Sequence, residues 1–129
     1  MPREITMLMP RMVTEDDLMD SLQAVDPALR VRWTVDGAII QVVDGDQQVA
    51  LSMEQQSALG SPHEIWRLLP GHPVARSVAD PEHRVSPDAQ PVWIQAYAPW
   101  DEPGATGVRV CQALTDLVGG TCVPQDGRR

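Results

Sequence analysis

Lysine, asparagine and phenylalanine are absent from this 129-residue chain, so its ten formal cations are all arginine and its aromatics are four tryptophans and one tyrosine. The codons of the three missing residues are AT-rich. A GC-rich coding genome therefore accounts for the pattern more simply than selection for guanidinium chemistry does. Without phenylalanine, a core must rely on Leu, Val, Ile, Met and Ala, with Trp33, Trp66 and Trp93 expected as its large pieces. No apolar run approaches the ~18 residues of a transmembrane helix. Met1-Pro2-Arg3-Glu4 leads only to the short apolar stretch Ile5–Met9 before Pro10. That lacks the longer apolar region and cleavage site of a signal peptide, so the cytoplasm is the expected location. Cys111 and Cys122 form neither a C-x-x-C pair nor a disulfide framework, and read as small buried apolar residues.

Acidic side chains dominate: 18 Asp and Glu give a net charge of −8 and a pI near 4.6. Such a field repels duplex nucleic acid and anionic lipid, which excludes both as partners and favours a basic one. Acidity also serves plain solubility. The length suits one domain over residues 1–129, enough to close a core without metals or disulfides.

Periodicity orders the elements. Glu4–Met9 reads as a strand stopped by Pro10. Thr14 then caps a helix, with Asp17 in capping-box position, Val13 and Leu18 as a staple, Leu18, Leu22 and Val25 as the buried stripe, and Asp26-Pro27 as the stop. A meander follows. Leu29, Val31, Trp33 and Val35 alternate inward; Asp36-Gly37 signals a type I′ hairpin; Ala38–Val43 is an apolar interior strand; and Val49, Leu51 and Met53 point inward after Asp44-Gly45-Asp46. Residues 60–91 break the pattern, with six of the twelve prolines and all three histidines. Only a short helical turn over Pro62–Leu69 is expected there. Val92–Ala98 resumes as an interior strand, Pro99–Gly104 reads as a turn, and a last helix is expected from near Thr106. Its predicted stripe is Val110, Ala113, Leu114, Leu117 and Val118, ended by Gly119-Gly120 and followed by a closing strand, Thr121–Pro124, and a polar tail, 125–129. The sum predicts an α+β fold: a mainly antiparallel sheet of five or six strands with two helices packed on one face, a ferredoxin-like arrangement being the natural form.

No catalytic signature emerges. The spacing of His63, His72 and His83 matches no zinc motif, and no phosphate loop or dinucleotide fingerprint implies a cofactor. Gly104 and Gly107 read as turn chemistry, since Asp101 and Glu102 would repel an anion there. Asp16 and Asp17 are accounted for by the helix start. Trp and Arg are enriched at binding hot spots, which singles out Trp66, Arg67 and Trp100, the last in the acidic turn Trp100-Asp101-Glu102, with His72 and His83 in the irregular segment beside them.

The runs Trp66-Arg67-Leu68-Leu69-Pro70, Pro91–Tyr97 and Leu114–Gly120 resemble small uncharacterised proteins of GC-rich actinobacteria, some of them immunity-like. That resemblance covers roughly the C-terminal half and carries over no catalytic residue. The expected function is a non-enzymatic module that binds a basic protein through residues 60–104, toxin neutralisation being one concrete version. A small enzyme or ligand-binding domain with a pocket under the 60–91 loop is the alternative, and a dimerisation protein the third.

Overall fold

A computed structural model describes residues 2–34, 38–58 and 91–125. The Asp36-Gly37 turn, the short helix over 62–69 and the side chains of His63, Trp66, Arg67, His72 and His83 lie outside these residues.

Strands β1 (Arg3–Met9), β2 (Arg30–Thr34), β3 (Ile39–Val43), β4 (Val49–Glu54), β5 (Ser57–Ala58), β6 (Val92–Ala98) and β7 (Thr121–Pro124) form one antiparallel sheet, and helices α1 (Glu15–Val25) and α2 (Glu102–Val118) pack against it. The order across the sheet is β2-β3-β4-β6-β1-β7, and the two-residue β5 continues the β4 track beside β6. Because β6 runs antiparallel to both β1 and β4, the last two are parallel, and α1 lies on the connection between them. In the same way α2 connects β6 to the parallel β7. A ferredoxin-like arrangement is not confirmed, since β2 and β3 extend the sheet beyond those four strands.

Helix α1 starts where the sequence places it. Thr14 accepts from the Asp17 amide at 3.1 Å and Asp17 accepts from the Thr14 amide at 2.9 Å, a complete capping box. The second helix departs from expectation. Asp101 caps it by accepting from the Gly104 amide at 3.1 Å, and Pro103 sits in its first turn, so the helix begins at Glu102 and absorbs the predicted turn. Val110, Leu114 and Val118 of the predicted stripe are buried, together with Gly104, Gly107, Val108, Cys111 and Thr115, whereas Leu117 is 50 % exposed. Gly104 and Gly107 fix that face. A Cβ at Gly107 would overlap the carbonyl oxygen of Ala50, and one at Gly104 that of Pro99. They are close-approach glycines inside a helix, not turn residues.

Two bulges shape the middle of the sheet. Val42 pairs with Leu51 but Val43 with Val49, so Ala50 is one residue extra, and it is at Ala50 that Gly107 meets the strand. The bulge also turns Val49 away from its predicted inward position, into a hollow with Pro2, Tyr97 and Trp100 on the other face. A second extra residue falls between the pairs Met53↔Ala96 and Ser57↔Trp93, which separates β4 from β5.

Ile5, Met7, Met9, Val42, Leu51, Met53, Val92, Ile94 and Ala96 on the sheet meet Leu18, Leu22, Val108, Cys111 and Leu114 on the helices in one core. The two described tryptophans expected there are elsewhere. Trp93 is half-buried, and Trp33 is 53 % exposed, because β2 ends the sheet order and leaves Trp33 a neighbour strand on one side only, β3. Aliphatic side chains and methionine fill the core instead.

Candidate functional site

Where α1 begins, the second bulge and the β2–β3 edge enclose a cleft of about 370 Å³. Its floor is apolar: Leu18 from α1, Ile40 and Met53 from the sheet, Ile94 from β6 and Leu114 from α2. Met12 and Trp33 stand at its rim, 60 % and 53 % exposed. Two carboxylates complete the lining, Glu15 in the first turn of α1 and Glu54 at the end of β4.

The wall between them is tied by one side chain. Gln56, displaced by the bulge, accepts from the Val13 amide at 2.8 Å through Oε1 and donates to the Val13 carbonyl at 2.9 Å through Nε2. Its carboxamide thus stands in for a strand neighbour and holds residues 12–14 at the cleft mouth. Arg11 fixes the same segment from outside: its guanidinium donates to Asp17 at 2.7 and 3.3 Å and to the Met12 carbonyl at 2.9 Å. Arg11 and the cap amide of Thr14 hold the Asp17 carboxyl far below the usual carboxylate range, and Asp17 in turn raises the Arg11 pKa. Among the described residues, the carboxylates of Glu15 and Glu54 in the cleft lining make no ion pair.

Trp100, Asp101 and Glu102 come together at the start of α2. The Asp101 carboxylate is engaged as the helix cap. Trp100 is 51 % exposed, and the Arg3 guanidinium lies over its ring, 5.3 Å from the centroid, while Arg3 Nε donates to the Gln125 carbonyl at 2.7 Å. Arg3 thus packs on the ring as an internal cation, and about half of Trp100 stays exposed. Nearby, desolvation and then Glu54 push the Tyr97 hydroxyl above its ordinary pKa.

Both cysteines are free thiols, Cys111 buried and Cys122 half-buried. Burial holds Cys111 well above the ordinary thiol range and pushes Cys122 up to about 11. A nucleophile needs the opposite shift.

The cleft residues Met12, Glu15, Trp33, Glu54 and Gln56 escaped the sequence reading. Alternation does put Trp33 and Ile40 on the helix-facing side, but only strand order shows that Trp33 lies at the sheet edge. Met12, an apolar residue next to Arg11 and just before a cap, was the one local signal. No family model, curated protein or solved structure matches the chain. Among the described residues, no helix is long and apolar enough to cross a membrane.

Proposed function

We propose that this chain is a non-enzymatic binding module that holds a basic protein partner, with the cleft at the α1 start as its point of attachment. The observation that supports this reading is an open apolar cleft with Met12 and Trp33 exposed at its rim and Glu15 and Glu54 in its lining, on a chain of net charge −8. Exposed aromatic and thioether side chains beside a preformed apolar hollow are what a binding hot spot uses. An acidic field speeds encounter with a basic partner and makes it salt-sensitive. Neutralising a basic toxin in the cytoplasm is the concrete version of this role. The raised thiol pKa values of Cys111 and Cys122 speak against either thiol as a nucleophile.

Tagged full-length chain and its Trp33→Asp variant are incubated in native cell extract at low salt. A basic protein retained by the parent, released by raised salt and lost from the variant is the expected result. Retention of the same proteins by both forms, or of acidic proteins only, would contradict the proposal.

A further inference from the structure

We infer that the part of the partner seated in the cleft is a short segment with a single apolar anchor side chain flanked on both sides by arginine or lysine; this rests on the binding-module reading. The size of the hollow argues for one anchor. Ligand pockets run from ~300 to ~1,000 Å³, and about 370 Å³ is at the small end. A groove for an amphipathic helix must instead receive several anchors spaced along i, i+3, i+4 and i+7.

The rim sets the chemistry of the anchor and of its neighbours. Met12, unbranched and polarisable, can close over either an aliphatic or an aromatic side chain. Trp33 offers an exposed ring that receives a flanking guanidinium as readily as it covers the anchor. Glu15 belongs to α1 and Glu54 to β4, so the two carboxylates reach the same cleft from different elements. One cation on each side of the anchor would then have its own counter-charge. The nearby Arg11 does not oppose this, because Asp17 already engages it in two hydrogen bonds. Asp17 is for the same reason not a third acceptor.

The probe is a library of displayed random peptides selected on immobilised full-length chain, with the enriched peptides then titrated against Trp33→Ala, Met12→Ala and the double variant Glu15→Arg/Glu54→Arg. These side chains line the rim and not the core, so the variants keep the fold, which a far-UV spectrum checks. Enriched sequences should share an apolar residue with Arg or Lys within two positions on each side. Their affinity should fall by about tenfold or more on Trp33→Ala and on the charge reversal, the loss of one hot-spot contact. Basic peptides that lose affinity on Trp33→Ala and on the charge reversal but share no flanked apolar residue would overturn the inference and leave the cleft reading standing, whereas basic peptides that bind every variant as tightly as the parent would overturn both the inference and the cleft as the point of attachment. Enrichment of acidic sequences, or none at all, would overturn both.

Discussion

Replacing Gly107 by alanine tests the packing that sets the position of α2. The added Cβ would sit 2.8 Å from the carbonyl carbon of Ala50 and 3.2 Å from Leu51 Cβ, and would overlap the Ala50 oxygen, whereas ordinary contact begins at 3.4 Å. Two of these three atoms are backbone within a strand paired on both sides, so no rotamer change relieves the clash. Helix and sheet must separate, which loosens Val108, Cys111 and Leu114 in the core at once. Overpacking of this kind costs up to ~3 kcal/mol and occasionally more. At roughly 4 °C per kcal/mol for a chain of this size, Tm should fall by about 12 °C. Gly119→Ala is the control: φ is +88° there and nothing lies within 4 Å, so only the left-handed backbone penalty of ~1 kcal/mol applies. Thermal melts of both variants decide the matter. A Gly107→Ala protein as stable as Gly119→Ala would refute direct contact between α2 and the Ala50 bulge.

Three further outcomes follow from the same geometry. Asp17→Asn removes the Arg11 pair and weakens the capping box, costing ~1 kcal/mol at neutral pH in urea unfolding. Because the folded Asp17 pKa is depressed, its contribution is full above the unfolded value near 3.9 and fades as pH falls below it, so parent and variant should converge in strong acid. Gln56→Ala strips both partners from the half-buried Val13 peptide groups and should cost ~1–2 kcal/mol, while Gln56→Glu keeps only the acceptor and restores only part of it. With Cys122 at about 11 and Cys111 also raised, native thiol labelling at pH 8 should run roughly 100-fold slower than in denaturant, and should accelerate as pH rises towards 11.

Much of this fold could be read from residue order. Thr14 and Asp17 announce a helix start because a capping box is a local event, complete within four residues. The meander likewise follows from alternation, and the α+β class from the succession of elements. What escaped depends on contacts between segments distant in sequence. Gly104 and Gly107 look like turn residues until Pro99 and Ala50 are placed against them. Starting α2 at Glu102 brings those glycines into the helix, and its buried face takes in Cys111 and Thr115 beside Val110, Leu114 and Val118 while Leu117 is exposed. Thr115 can occupy that face because its hydroxyl donates to the carbonyls of Cys111 and Gln112. Trp33 follows the same lesson: period-2 alternation identifies its face, but burial also requires neighbours, and an edge strand has them on one side only. Trp100 is exposed as its turn sequence suggests, but its contact with Arg3, nearly a hundred residues earlier, has no local signal. The cleft was invisible for a similar reason, since its lining comes from both helices, four strands and the segments that flank them.

Chemical-shift mapping of the basic partner, or of a selected peptide, onto the labelled chain bears most directly on the cleft as the point of attachment. The account predicts that the methyl signals of Met12 and Met53 and the indole signal of Trp33 move on titration, while the Trp100 indole stays where Arg3 holds it. Shifts centred on Trp100, with Met12, Met53 and Trp33 unmoved, would contradict it.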